Sequence, residues 1–244
     1  MIDIHNHIIP NIDDGSDSLA LSRELLHSAY EEGITDVCIT PHFIKTDSTC
    51  NLRKKELIQR YTDFKRACSN IPVNLYLGNE LYIDYQLDEL LEKDEICSLN
   101  SSRYVLIEFP FHQYREEYDE YLYNVSLNHE IIIAHPERYS YVRENNDFVD
   151  RWLKAGYTLQ SNSTSLYSHE GKACIYHLIE KGKLSFMASD CHNSYRPLSL
   201  IDAYQHISKK VSRETARLLM EENPKAVLQN KKLHPVPAVR KRLF

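Results

Sequence analysis

Residues 104–135, YVLIEFPFHQYREEYDEYLYNVSLNHEIIIAH, contain two apolar runs rich in β-branched residues, YVLIEF (104–109) and EIIIAH (130–135). Near-continuous hydrophobicity over five or six residues is the pattern of a strand buried on both faces. Between the runs, Tyr114, Tyr118 and Tyr121 fall at helical spacing. Such a stripe reads first as an aromatic face packed on a sheet and second as a partner surface. Strand, helix and strand in this order predict a parallel crossover unit. Each run also ends near an ionisable residue, Glu108 in the first and His135 in the second.

The same unit recurs on both sides. Further runs are MIDIH (1–5), ITDVCIT (34–40), VNLYLG (73–78), YTLQS (157–161) and LSFMAS (184–189). Helical patterns are expected at 17–32, 51–68, 84–93, 114–129, 146–155, 168–181, 198–208 and 212–221. Asp17 or Ser18 serves as the first N-cap and Gly33 as its stop. A last turn should begin at Asn223-Pro224, with Asn as cap and Pro at the first helical position. The runs end in His5-Asn6-His7, His42, Glu80, Glu108, His135, Gln160 and Asn162, then Asp190 and His192. An open doubly wound sheet collects ligands mainly at its switch point, whereas a barrel collects them from the C-terminal ends of all its strands. Seven contributing ends favour a single α/β domain, a TIM-like (β/α)7 barrel over residues 1–230, with a basic tail over 231–244. That tail, KKLHPVPAVRKRLF, reads as a solvated terminus, with an acidic partner or a membrane surface as alternatives.

Composition sets outer bounds. Of 244 residues, 42% are apolar and 26% charged, the balance of a chain that can bury a large core. With 29 Lys+Arg against 35 Asp+Glu the net charge is −6, and no basic face marks a general nucleic-acid binder. No stretch approaches the length of a membrane span and no signal-peptide pattern opens the chain, so a cytoplasmic location is expected. The six cysteines are scattered without a CxxC pair and read as reduced, mostly buried thiols. Cys97 and Arg103 in CSLNSSR match the spacing of cysteine-dependent tyrosine phosphatases. The segment lacks the glycines that turn N–H groups onto an anion, so Cys97 is set aside as a nucleophile.

His5 and His7 alternate on a strand, so both imidazoles point to one side. Alone, that pair is weak evidence for metal. With Asp14, His42, Glu80, Glu108, His135, Asp190 and His192 it becomes nine residues, five His and four carboxylates, at six strand ends. Capping a loop accounts for any one of them and not for nine in phase. Buried carboxylates and imidazoles on one rim are costly unless a cation compensates them. A catalytic first-row metal takes about three to five protein ligands, so nine residues sharing a bridging carboxylate suit two or three ions. The other seven His (27, 112, 129, 169, 177, 206, 234) read as surface or packing residues. Phe109 and Phe111 flank Pro110 and either wall a pocket or join the core; Asp13 reads as a turn residue.

HNH, Asp14-Gly15, TPH, GNE, IEFP, AHPER and SDCH, in this order, resemble the polymerase and histidinol phosphatase (PHP) superfamily. They look most like its manganese-dependent bacterial tyrosine-protein phosphatases of capsule and exopolysaccharide loci, the CpsB/CapC type. The resemblance runs from Met1 to about Asn230 and implies a distorted seven-stranded barrel, the PHP fold, with three divalent ions: manganese first, iron or zinc as alternatives. It implies one ion on His5, His7, Glu80 and Asp190, a second on Glu80, Glu108 and His135, and a third on Asp14, His42 and His192. It implies Arg138 and Arg196 as phosphate-binding catalytic residues. A site histidine, His42 or His192, is a candidate catalytic proton donor to the leaving group, but a metal-bound imidazole does not donate freely and the acid stays unassigned. The implied reaction is hydrolysis of phosphotyrosine on the tyrosine-rich tail of a bacterial kinase that controls polysaccharide polymerisation. Association between copies of the chain is allowed. A small-molecule phosphoesterase of the histidinol-phosphate type is the nearest alternative. A non-catalytic binding barrel would show gaps in the ligand set, and none is found.

Overall fold

The apolar runs form strands β1 (Ile2–Asp3), β2 (Asp36–Ile39), β3 (His42–Phe43), β4 (Asn74–Leu77), β5 (Glu80–Tyr82), β6 (Tyr104–Glu108), β7 (Glu130–Ala134), β8 (Thr158–Asn162) and β9 (Phe186–Ala188). They belong to a computed structural model that describes residues 1–145 and 147–239. Pairing is parallel throughout, in a three-stranded sheet ordered β1-β2-β4 and a six-stranded sheet ordered β3-β5-β6-β7-β8-β9. The parallel α/β architecture stands, with its ladders divided between two sheets.

The division has a local cause. Pro41 has no N–H to continue a ladder, and β2 ends two residues before it while β3 begins one residue after. Opposite, Gly78 N–H donates to the Ile39 carbonyl at 2.8 Å, and Glu80 N–H donates to the Pro41 carbonyl at 3.2 Å. Asn79 spans the step, giving its Nδ2 to the Pro41 carbonyl at 3.0 Å and accepting the Cys97 N–H at 2.9 Å. The first and last strands meet just beyond their ends through a parallel bridge, Asn6 to Cys191.

Among the described residues, ten α-helices fill the crossovers and the C-terminal region: α1 (Leu19–Glu31), α2 (Lys54–Ala67), α3 (Leu87–Glu92), α4 (Glu117–Ser126), α5 (Ser140–Glu144), α6 (Asp147–Lys154), α7 (His169–Glu180), α8 (Ile201–Lys210), α9 (Arg213–Arg217) and α10 (Asn223–Leu228). Ser18 caps α1, its hydroxyl accepting the Leu21 N–H. The stretch expected as one helix at 212–221 is α9 followed by a π turn at Leu218–Glu222. Asn223 is therefore helical rather than a cap. Its side chain reaches out to the Ser185 and His234 carbonyls and the His234 N–H. That contact begins to seat the tail, where Val236 is buried and Val239 N–H donates to the Glu180 carbonyl. The described part of the tail is thus pinned to the body at Val236 and Val239 while most of its residues stay exposed; residues 240–244 fall outside the described residues. Among the described residues no helix is long and apolar enough to cross a membrane.

Two apolar clusters flank the strands. The larger lies under the helices. It includes an aromatic group in which Phe109 stacks on Trp152 with ring centroids 5.5 Å apart and Tyr114 and Tyr118 gather round. Phe109 and the tyrosine stripe are therefore packing. The smaller cluster, including Ile4, Leu106, Ile132, Phe186 and Ala188, plugs the space between the strands. Side chains two apart on a strand share a face. Leu106 is hence followed on that face by Glu108, and Phe186 and Ala188 by Asp190. The polar site sits directly above an apolar plug.

Candidate metal centre

The strand ends bring all nine expected residues together. His5 and His7, just past β1, aim Nε2 at the same two acceptors. His5 Nε2 lies 3.1 Å from Glu80 Oε2 and 3.4 Å from Asp190 Oδ1, and His7 Nε2 lies 3.2 and 3.5 Å from them. These four residues are fully buried and can share one ion. Glu80 continues outward. Its Oε1 takes His135 Nε2 at 2.9 Å, His135 Nε2 lies 3.5 Å from Glu108 Oε1, and His42 Nδ1 lies 3.1 Å from Glu80 Oε2. His42, Glu80 and Glu108 form a second ligand group, with His135 against both carboxylates. His7, Asp14, His42 and His192 form a third, where Asp14 Oδ1 lies 3.4 Å from His42 Nε2 and 3.3 Å from His192 Nε2. His7 and His42 each belong to two groups, a sharing wider than the expected single bridge through Glu80.

The donor set fits divalent metal on its own terms. Glu80 Oε2, Asp190 Oδ1 and His42 Nδ1 are buried without a hydrogen-bond partner, and all three point into the cluster. Orphaned buried polar atoms are costly, and carboxylate and imidazole donors suit a first-row divalent ion. The electrostatics agree. Burial, with Glu80 and Asp190 alongside, pushes the Glu108 carboxyl well above its usual range. Burial pulls His135 down to about 4. Burial alone would lift Glu80, but the surrounding imidazoles hold it well below a normal glutamate. Likewise burial opposes the charged form of His5, and Glu80 and Asp190 overcome it.

Outer partners fix the inner groups. Asp13 forms the expected turn, its Oδ1 accepting the Gly15 N–H at 3.0 Å, and it does more. Its Oδ2 accepts His7 Nδ1–H at 2.8 Å and the His42 N–H at 3.0 Å. A carboxylate on the far nitrogen of a ligand imidazole sets its tautomer and orientation. The turn is tight against β1: a Cβ on Gly15 would stand 2.1 Å from the His7 carbonyl oxygen. His5 Nδ1–H donates to Gln160 Oε1 at 2.8 Å, and Asn162 Nδ2 donates to Asp190 Oδ2 at 2.6 Å. The spacing of the ligands does not disclose these supports. The available signals were the first Asp of DDG and two polar side chains on one face of a buried strand.

Arg138 Nη1 lies 3.0 Å from Asp190 Oδ2, and Arg196 donates to the same oxygen. The Arg138 guanidinium lies over the Phe111 ring, 4.5 Å from its centroid. Both arginines and Phe111 line a cleft of about 600 Å³ that opens onto Asp14, His42, Glu80, Glu108, Asp190 and His192. Both members of the Phe pair line this cleft, Phe109 from a fully buried position in the aromatic group and Phe111 from a part-exposed one beside Arg138. Cys97 is buried beside Asn79 and absent from the cleft lining, and burial raises its thiol to about 11, which fits its exclusion as a nucleophile.

The profile of the family described as capsular polysaccharide synthesis, CpsB/CapC, matches residues 1–229. The tyrosine-protein phosphatase YwqE of Bacillus subtilis is 31% identical, over 100% of this chain and 99% of that protein. The tyrosine-protein phosphatase CpsB of Streptococcus pneumoniae is also 31% identical, over 94% of this chain and 99% of its own. A crystal structure from work on YwqE and CpsB, described as unique metal-dependent tyrosine phosphatases, superposes with a TM-score of 0.90 at 30% identity, covering 98% of this chain and 100% of that one. A phosphotriesterase homology protein from Escherichia coli shares the fold alone, with a TM-score of 0.60 at 12% identity over 93% of this chain and 98% of that one.

Proposed function

The chain belongs to the CpsB/CapC capsular polysaccharide synthesis family, and from that premise we propose that it is a metal-dependent phosphatase of phosphotyrosine in proteins. The observation that carries this reading is a cluster of nine ligand-type side chains, six of them lining one cleft together with two arginines, with buried acceptor atoms left orphaned at its floor.

We read the two sheets as one distorted seven-strand ring over residues 1–230, joined at the Asn6–Cys191 bridge. The three ligand groups then hold three ions, manganese before iron or zinc. Divalent ions there would acidify a water and offset negative charge on the phosphoryl oxygens. The remaining work belongs to the chain. Asp13 and Gln160 keep the ligand imidazoles oriented. Arg138 and Arg196 present N–H forks suited to equatorial phosphoryl oxygens. Phe111 and Tyr82, both lining the cleft, give the phenyl ring apolar contact. A tyrosyl group leaves as a phenol of pKa about 10 and needs little proton assistance. Residue Cys97 takes no part, so no phospho-enzyme forms on it.

The substrate in this reading is a tyrosine kinase that governs polysaccharide assembly. ATP-dependent phosphorylation places that substrate, and this chain, in the cytoplasm. A panel of manganese-loaded reactions tests the proposal: phosphotyrosyl peptide should be turned over well and histidinol phosphate poorly. The reverse order would move the chain to small-molecule phosphoesterases, and no hydrolysis of either would overturn the enzyme reading.

A further inference from the structure

Strand β8 is the one strand of the six-stranded sheet with no ionisable candidate ligand at or just beyond either end. It carries instead two buried amides, Gln160 and Asn162, on the face that points into the site. Their hydrogen bonds form an unbroken chain. Asp190 Oδ2 accepts from Asn162 Nδ2 at 2.6 Å, Asn162 Oδ1 accepts from Gln160 Nε2 at 3.0 Å, and Gln160 Oε1 accepts His5 Nδ1–H at 2.8 Å. An ionised carboxylate only accepts, so Asp190 compels Asn162 to present its NH2 group. Asn162 is then left with an oxygen facing Gln160, and Gln160 with an oxygen facing His5. A flip of either amide would set like groups against each other at both ends. The proton of His5 is thereby held on Nδ1, which leaves the Nε2 lone pair available to an ion that His5 would share with Glu80 Oε2 and Asp190 Oδ1.

We propose that Gln160 and Asn162 are positioning residues: a two-amide relay through which one candidate metal ligand, Asp190, dictates the tautomer of another, His5. The proposal rests on the metal-centre reading and concerns ion binding, not turnover. Histidine ligands commonly have their tautomer set by a carboxylate, a backbone carbonyl or water, as Asp13 does for His7. Here the directing charge is a ligand of the same site, transmitted across two neutral side chains.

The test is zinc and manganese binding to full-length protein, measured by titration calorimetry. It is paired with long-range 15N–1H spectra of the diamagnetic zinc-loaded form, which report the His5 tautomer. Gln160→Leu should weaken one binding step by roughly 10- to 100-fold and abolish the protected His5 Nδ1–H signal. Asn162→Ala, which keeps the acceptor on His5 but frees its direction, should cause a smaller loss and broaden that signal; it carries the test if Gln160→Leu does not fold. Unchanged affinity with an intact Nδ1–H signal in a folded variant overturns the relay alone. Failure of the unsubstituted protein to bind either metal overturns the metal centre and the relay with it. Loss of phosphotyrosine hydrolysis with normal metal binding bears only on the proposed function.

Discussion

His5, His7, Glu80 and Asp190 lie wholly out of water, whereas the Asp14 side chain at the other side of the same cluster is 67% exposed and His42 is partly open. The inner group is held from behind by Asp13, Gln160 and Asn162. Asp14, by contrast, rests on two imidazoles, which keep its carboxyl low through a hydrogen bond from His192. A site assembled this way has a rigid floor and a labile lip. The floor is set by packing, and the lip by whatever occupies it.

Glu80→Gln attacks the floor where its groups meet and should have the largest effect. Removing one member of a group acting as a unit should cost phosphatase activity roughly 10³-fold or more, with far-UV circular dichroism unchanged. Retention of a tenth of wild-type activity would show that the floor is not the working part. Arg138→Ala should come next, with a loss of about 10²-fold in kcat/KM, borne mainly by KM and with metal content intact; a drop in metal content instead would make Arg138 a support of Asp190. Asp13→Asn should weaken metal binding by roughly 10- to 100-fold, because the amide is a poorer acceptor for His7 Nδ1–H. Asp14→Asn should cost less, about tenfold, and excess manganese should restore activity. If excess metal rescues the floor variants equally well, the contrast between floor and lip collapses.

The smallest effect concerns the frame under both. Burial raises the thiols of Cys97 to about 11 and Cys174 to about 12. A group whose folded pKa is raised contributes fully below its unfolded value, about 8.5 for cysteine, and loses that contribution as pH climbs toward the folded value. Thermal melting should therefore fall between roughly pH 9 and 11. Cys97→Ala with Cys174→Ala should flatten the fall; an unchanged slope would assign it to other groups.

Most of the ligands, Asp14 in the loop after β1 excepted, were legible because they stand at or just beyond a strand end, where apolar periodicity stops and an ionisable residue follows. His135 after Ile131–Ala134 and Asp190 after Phe186–Ala188 are such cases. What escaped was contact between segments far apart in the chain. Gln160 lies 155 positions from His5, and its role depends on a pairing no local spacing encodes. Asn223 was misread for a related reason: its proline neighbour suggests a cap, but a π turn runs the helix through it and frees its amide for the tail. The break between β2 and β3 could be inferred from Pro41, while the Asn79 amide that spans it could not.

The seam between the first and last strands bears on how the chain folds. Ser189 gives its N–H and hydroxyl to Asp3, 186 positions away, and the adjoining peptides carry His5, His7, Asp190 and His192. Contacts that close so long a loop are entropically expensive and form late. Because ligands lie on both sides of the seam, an ion bound there would hold the chain's two extremities together. Unfolding should then begin by unfastening this seam, and metal should act chiefly on the unfolding rate.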